Sequence, residues 1–336
     1  MYWNINEILP YQRNFNLIDS ERSIGKTYTT EKFLIKKCME NSLQFVYVVR
    51  TKTEKDKGAL QKGLAKVLAN EYPSIGFEPT VDTLSVKGSK QPIALCLALS
   101  EYSKIKKDSF PLVKYIMFDE YILDVNDRRS YFNGWDEPDI FLNIYHTIDR
   151  EEDRVICFLL GNTISFYNPY HMHPAFNIPN VNKGEIWYSE NVLFQWAVST
   201  DEMKEDKAKC KFLKMIDKTD YGKYAKYGDY VDDNVNFLGE RTAKAKHVFA
   251  IEYEGVTFGV WQDSKLGLIF IDEKYDVSCA LKYALTINDH KENTMLTRNK
   301  NNNLLMWLGK NFKLGNVRFT NMRVKVKAEQ AIKLIL

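Results

Sequence analysis

The octapeptide Ser20-Glu21-Arg22-Ser23-Ile24-Gly25-Lys26-Thr27 constrains this chain more than any other stretch. It follows an apolar run, Phe15 to Ile18, and precedes an amphipathic stretch, Tyr28 to Glu40, so it reads as a strand–loop–helix turn ending in Gly-Lys-Thr. Such a turn lines up backbone N–H groups at the positive end of a helix dipole, which suits a chain of phosphates. Lys26 is then placed for the β- and γ-phosphates, and Thr27 offers its hydroxyl to Mg²⁺. Ser20 stands where the first glycine of a phosphate-binding loop is expected, and Ser23 takes another common glycine position, so part of the freedom at positive φ is missing. On these residues alone the alternative is a helix start that happens to read Gly-Lys-Thr.

A second run decides between the two. Val113 to Phe118 is apolar but for Lys114 and leads into Asp119 and Glu120. A carboxylate at the tip of a buried strand is placed to hold the water shell of Mg²⁺, and the next carboxylate to polarise a water for attack on the γ-phosphate. Val155 to Leu160 is a third run and ends in Gly161-Asn162; Asn162 would sense the γ-phosphate or orient water, or simply make a turn. Asp149 to Arg154 is a charged cluster before that run, in which an arginine either reaches a neighbouring subunit's nucleotide or belongs to solvated surface. Arg50 and Lys52, after the run Gln44 to Val49, are candidates for a phosphate or trans-acting role.

Continuous rather than alternating runs, at Gln44 to Val49, Ile93 to Leu99, Val113 to Phe118 and Val155 to Leu160, are those of strands buried on both faces of a parallel sheet. With helices over Tyr28 to Glu40, Leu60 to Glu71 and Ile140 to Ile148, they predict a three-layer α/β domain over residues 1–200. Residues 201–233, rich in Lys, Asp and Tyr, read as a linker with some helix. Residues 234–336 read as a smaller α+β domain, with β-rich runs at Val248 to Glu254, Val256 to Gln262 and Gly267 to Asp272 and helices at Leu304 to Phe312 and Ala328 to Leu334.

The net charge is only +3, but beyond Lys291 basic residues, among them Arg298, Lys300, Arg323, Lys325 and Lys327, far outnumber the acids Glu292 and Glu329. A basic end suits a polyanionic partner such as DNA, or is a solvated face. Asn299 to Asn303 is an asparagine-rich patch. No apolar stretch approaches the roughly 18 residues of a membrane span, and the N-terminus lacks the pattern of a signal peptide. The five cysteines are scattered without a C-x-x-C pair, which predicts buried thiols in a reducing compartment.

Taken in order, Ser20-x-x-x-Ile24-Gly25-Lys26-Thr27, Phe45 to Arg50 with Lys52, Phe118-Asp119-Glu120, Arg150 and Gly161-Asn162 resemble the packaging ATPase of phi29-like podoviruses. Asn168-Pro169-Tyr170, Asn180 to Lys183, Phe258 to Trp261 and Gly267 to Asp272 extend the resemblance to about Lys300. The resemblance implies an ATPase domain of the additional-strand, catalytic-glutamate class and a ribonuclease-H-like second domain without nuclease activity. It implies a homo-oligomeric ring on the portal of a viral procapsid, in the host cytoplasm, that burns ATP with Mg²⁺ to move double-stranded DNA; some members also use a structural RNA. By position, Ser20, Arg22, Ser23, Gly25, Lys26 and Thr27 hold the nucleotide, Thr27 and Asp119 the metal, and Glu120 is the base. Arg150 falls on the trans-acting arginine, Asn162 on the sensor amide, and Tyr11, Gln12 and Arg13 near the adenine. Two other classes stay open: a P-loop small-molecule or nucleotide kinase, and a non-catalytic nucleic-acid-binding protein.

Overall fold

The computed structural model describes residues 2–123, 131–132, 134–219, 222, 228–230, 236–297 and 302–336. Arg298, Lys300 and residues 299–301 of the asparagine-rich patch lie outside the described residues. The chain forms two compact units, Met1–Asp232 and Asp233–Leu336.

The first unit is built on nine strands: β1 (Phe15–Ser20), β2 (Gln44–Val49), β3 (Phe77–Pro79), β4 (Thr83–Val86), β5 (Pro92–Ala98), β6 (Val113–Asp119), β7 (Ile156–Asn162), β8 (Ile186–Tyr188) and β9 (Val192–Ala197). They lie in the order β3-β4-β5-β2-β6-β7-β1-β9-β8. From β5 to β9 every pair is parallel, and short antiparallel strands close both edges. The loop-bearing strand β1 and the acidic strand β6 are not neighbours, because β7 is inserted between them. An additional strand at this place is what the family resemblance implied.

Because side chains alternate across a sheet, each buried strand feeds two cores. Leu17, Val46 and Val48 join one core, and Ile18, Phe45, Tyr47 and Val49 the other. The helices α1 (Lys26–Asn41), α2 (Lys52–Asp56), α3 (Ala59–Glu71), α4 (Glu137–Asp149) and α5 (Pro169–Met172) follow the strands. Leu34, Ile35 and Cys38 of α1 and Leu60, Leu64 and Val67 of α3 cover one face. Ile140, Phe141, Ile144 and Ile148 of α4 and Tyr170 of α5 cover the other, which gives the expected three layers.

The segment beginning at Asp201 forms α6 (Asp201–Lys209) and α7 (Lys211–Ile216), and the first unit extends through it to Asp232. Of the cysteines expected to be buried, Cys38, Cys96 and Cys157 are; Cys210 is exposed and Cys279 half-buried.

The second unit carries β10 (Lys246–Tyr253), β11 (Val256–Asp263), β12 (Leu268–Asp272), β13 (Lys282–Ala284), β14 (Met295–Leu296) and β15 (Val317–Phe319), with helices α8 (Asn303–Lys313) and α9 (Met322–Ile335). An antiparallel meander β10-β11-β12 has β13 and then β14 added parallel on the β10 side, the arrangement of a ribonuclease-H-like sheet, and β15 added parallel beyond β12. Among the described residues no helix is long and apolar enough to cross a membrane.

Candidate active site

All parallel strands of the first unit end at one edge, where ligands of open α/β sheets bind. Ser20 of β1 pairs in register with Asn162 of β7, and Asp119 of β6 with Leu160, so three sequence-predicted groups meet there. Lys26, the first residue of α1, is 6% exposed and points back into this group. Its Nζ donates to Ser20 Oγ at 3.1 Å and to Asn162 Oδ1 at 2.9 Å. Burial pushes its ammonium group down from the ordinary lysine range, against the pull of Asp119, Asp19, Glu21 and Glu120. A buried cation flanked by four carboxylates and held by two neutral oxygens is poised to exchange those oxygens for phosphate.

The loop itself is strained where glycine is missing. Gly25 has φ 84°, which suits glycine, but Ser23 also adopts φ 67°; a side chain in that region costs about 1 kcal/mol. Ser20 serves differently, since its hydroxyl donates to Glu21 O and accepts from Lys26. Glu21, an acid inside a phosphate-binding loop, is turned away: its Oε1 accepts from Ser199 N at 2.9 Å and from Lys207 Nζ of α6 at 3.3 Å. Lys207 also donates to Arg22 O, while the Arg22 side chain is exposed on the loop.

Asp119 is desolvated, which pushes its carboxyl up; Lys26 and a hydrogen bond from Thr27 oppose that, and Glu120 adds to it. The Thr27 hydroxyl and Asp119 carboxylate are hard oxygen donors, so they fit a Mg²⁺ ion. Glu120, just past the strand, adopts φ 54°, a left-handed backbone that a side chain rarely takes. Arg50 fixes this bend: Nη1 donates to Glu120 O at 2.7 Å and Nη2 to Tyr121 O at 2.6 Å. Glu120, Asp119, Arg50, Glu54 and Tyr47 line a cavity of about 180 Å³.

Several expectations are corrected by this geometry. Arg50 is 3% exposed and ion-paired at 3.1 Å with fully buried Glu137, which Tyr170 also donates to at 2.9 Å, so in this structure it braces the acidic turn instead of projecting toward a neighbour. Lys52, by contrast, is exposed at the start of α2 on the ligand edge. Gln12 and Arg13 precede β1 and therefore sit at the opposite edge, about 20 Å from the loop at 3.3 Å per residue. Arg13 there lies over the ring of Tyr188, 5.3 Å from its centroid, and Tyr11 packs on the same ring. The N-terminal residues that reach the loop are Trp3, whose backbone N–H donates to Ile24 O, and Tyr2, whose ring occupies the space a Cβ on Gly25 would need. The position of Gln12 and Arg13 just before β1 already fixes their edge, whereas no sequence signal shows that Tyr2 and Trp3 fold back onto the loop.

Arg150 follows α4 and precedes β7, so it too lies at the edge opposite Lys26. Within its charged cluster the two arginines differ. Arg154 is tied to Val113 O, Phe110 O and Ile148 O. Arg150 is exposed, with Nη2 donating to Asp108 O at 2.8 Å.

In the second unit Lys325 is corrected as well. It is 5% exposed, donates to Asn236 O at 2.8 Å and lies near Glu329, so it is structural, whereas Arg323 and Lys327 on α9 are half-buried. The acids of this unit are locally engaged: Asp263 with Thr242 and the turn amides of Lys265 and Leu266, Asp272 with Arg241, Glu252 with Lys291. Among the described residues no three His, Cys, Asp or Glu side chains converge on a metal position.

Sequence reading missed Asp19, Tyr121 and His171. All three are fully buried and bonded to one another directly beneath the loop. Only the adjacency of Asp19 to Ser20 and of Tyr121 to Glu120 hinted at them.

Comparison with known proteins places this geometry. The family model for podovirus DNA encapsidation protein (Gp16) matches residues 1–334. The DNA packaging protein of Bacillus phage phi29 is 34% identical over 332 residues, covering 97% of this chain and 95% of that protein. The structure of the bacteriophage phi29 viral genome packaging motor assembly superposes with a TM-score of 0.78 at 30% identity, over 100% of this chain and 99% of that one. The crystal structure of the N-terminal domain of the phi29 DNA packaging ATPase matches at TM-score 0.50 and 26% identity, over 60% of this chain and 98% of that one. The buried lysine, the acidic strand tip and the inserted strand thus lie within a match that spans both units, and the chain belongs to the podovirus DNA encapsidation protein (Gp16) family.

Proposed function

We propose that this chain is the ATP-hydrolysing subunit of a ring motor that drives double-stranded DNA through the portal of a viral procapsid, in the host cytoplasm and on the portal vertex while packaging lasts. The observation that carries the reading is the meeting of Lys26, Thr27, Asp119, Glu120 and Asn162 at one sheet edge, with β7 inserted between β1 and β6. Lys26 and the loop amides bind and orient the phosphates. Mg²⁺ held by Thr27 and Asp119 would neutralise phosphate charge. Glu120, held by the Arg50 brace, takes a proton from the attacking water, and Asn162 aligns the terminal phosphate once Lys26 has left it. Arg150 of one subunit serves the nucleotide of the next. The ribonuclease-H-like unit acts as a platform for DNA or portal, without nuclease activity.

The test is ATP turnover with and without long duplex DNA, for the native chain and for Glu120→Gln. Turnover that rises with DNA, and Glu120→Gln that binds ATP but turns over at least 100-fold more slowly, are expected. Turnover that depends on a small acceptor would identify a kinase instead, and none at all a binding protein.

A further inference from the structure

Beneath the phosphate-binding loop runs a buried polar network whose far end is not part of the hydrolytic machinery. Asp19, the residue before Ser20, is its hub. Its Oδ1 accepts from Tyr121 Oη at 2.6 Å and its Oδ2 from Tyr230 Oη at 2.6 Å. His171 lies against Tyr121 and Asp19, with Nε2 at 2.7 Å from Tyr121 Oη and 3.3 Å from Asp19 Oδ2, while its Nδ1 faces Phe166 O at 2.8 Å. Gly161 leaves room for this hub: a Cβ there would fall 2.5 Å from Asp19 Oδ1 and 2.7 Å from the Tyr121 ring. The hub therefore touches the residue next to each working group, namely Ser20 of the loop, Glu120 of the acidic tip and Asn162.

Tyr230 is the member that does not belong to the site. It lies on a short strap, residues 228–230, two residues before the first unit ends at Asp232. The strap rests on the loop. A Cβ on Gly228 would meet Glu21 Oε2 at 2.4 Å and Glu21 N at 3.0 Å. Gly228 O accepts from Trp196 Nε1 at 3.0 Å, the Trp196 and Tyr230 rings are 4.7 Å apart, and Asp229 pairs with Lys183 at 2.7 Å.

We infer that the Tyr230 hydroxyl is a positioning group that ties this strap to Asp19, so that nucleotide arriving at Lys26 changes how firmly the strap is held. The physical route is short. Phosphate draws Lys26 away from Ser20 and Asn162, which are chain neighbours of Asp19 and Gly161, and removes a cation from the field of Asp19 and Glu21. The carboxylate left behind is then held by the hydroxyls of Tyr121 and Tyr230. A hydrogen bond to a charged group is strong enough to shift a local opening equilibrium by about tenfold. The inference rests on the ATPase reading only in requiring that nucleotide bind.

Hydrogen exchange of the strap amides in the full chain, with and without the slowly hydrolysed analogue ATPγS and Mg²⁺, tests it. A fluorescent ATP analogue reports binding separately. In the native chain nucleotide is expected to change strap exchange by about tenfold. In Tyr230→Phe, which keeps the ring packing, the strap should exchange faster and its nucleotide response should disappear. Trp196→Phe removes the bond to Gly228 but keeps a ring against Tyr230 and keeps the Tyr230 hydroxyl that donates to Asp19, so it should loosen the strap and keep the response. Bound analogue with a silent strap in the native chain, or an equal loss of response in Trp196→Phe, overturns the inference alone. Failure of the analogue to bind overturns the ATPase reading with it.

Discussion

At the scale of single residues, the site is organised by what burial does to charge. Glu31 stands one turn after Thr27 on α1, is 2% exposed, and its Oε1 has no hydrogen-bond partner among the described residues. Burial, reinforced by Asp119, pushes its carboxyl up to about 9. In the unfolded chain the same group ionises in the ordinary carboxylate range. Between these two limits the folded state holds more protons, so stability falls as pH rises through the window. Glu31→Gln removes that term. Without nucleotide, its melting temperature should exceed the native one by a margin that grows from about pH 5 to about pH 8; a constant margin would show that Glu31 is not the titrating group. Gly161→Ala is the steric counterpart. Its Cβ would crowd Asp19 and Tyr121, and forcing them apart is expected to destabilise the first unit by about 1–3 kcal/mol, read from chemical denaturation.

Whole elements were legible where one physical signal dominated. Strands β2 and β7 are apolar runs without an internal polar residue before their ends, and β6 is broken only by Lys114 near its start, so the sequence places all three almost to the residue. Strand β9 was missed although it lies beside β1, because Gln195 breaks its apolar run; the structure satisfies that amide with Trp3 and Glu7. Helix α9 was expected from Ala328 but starts at Met322. Its first turns, Met322-Arg323-Val324-Lys325-Val326-Lys327, alternate apolar and basic residues with the period of a strand, and the signal that would have found it is the cap Asn321, whose side chain accepts from Val324 N. The same misleading alternation made Lys325 look like surface charge. Lys325→Ala should therefore destabilise the second unit by about 1–3 kcal/mol by leaving Asn236 O without this donor, while the salt dependence of DNA binding keeps its slope. Lys327→Ala, if Lys327 meets a phosphate, should lower that slope by about one unit without loss of stability. Beyond the adjacency of Asp19 to Ser20 and of Tyr121 to Glu120, the Asp19 network was not legible: its members are 50 to 211 residues apart in sequence, and no local period connects them.

At the scale of the whole molecule, Lys26 and Arg150 lie at opposite edges of one sheet, so an Arg150 that serves a nucleotide as proposed has to serve that of another copy. Arg150→Ala and Glu120→Gln proteins, each nearly inactive alone, should regain hydrolysis when mixed, because some interfaces then join an intact Glu120 to an intact Arg150. Rescue of this kind is read as ATP turnover under conditions where subunits exchange; no rescue with exchange shown independently would mean that Arg150 works in cis or is structural, and its bond to Asp108 O then favours the structural role.

The same separation has a consequence for counting. A subunit that receives at one edge and donates at the other has a front and a back, so its contacts are heterologous and propagate in one direction until they close. An open stack of n such subunits contains n − 1 completed sites, because the last pocket has no donor behind it. Closing the stack adds a site without adding a subunit. Turnover per chain should therefore climb with assembly size and take a final step when the ends meet. A break anywhere in a closed ring would cost one site, wherever it occurred.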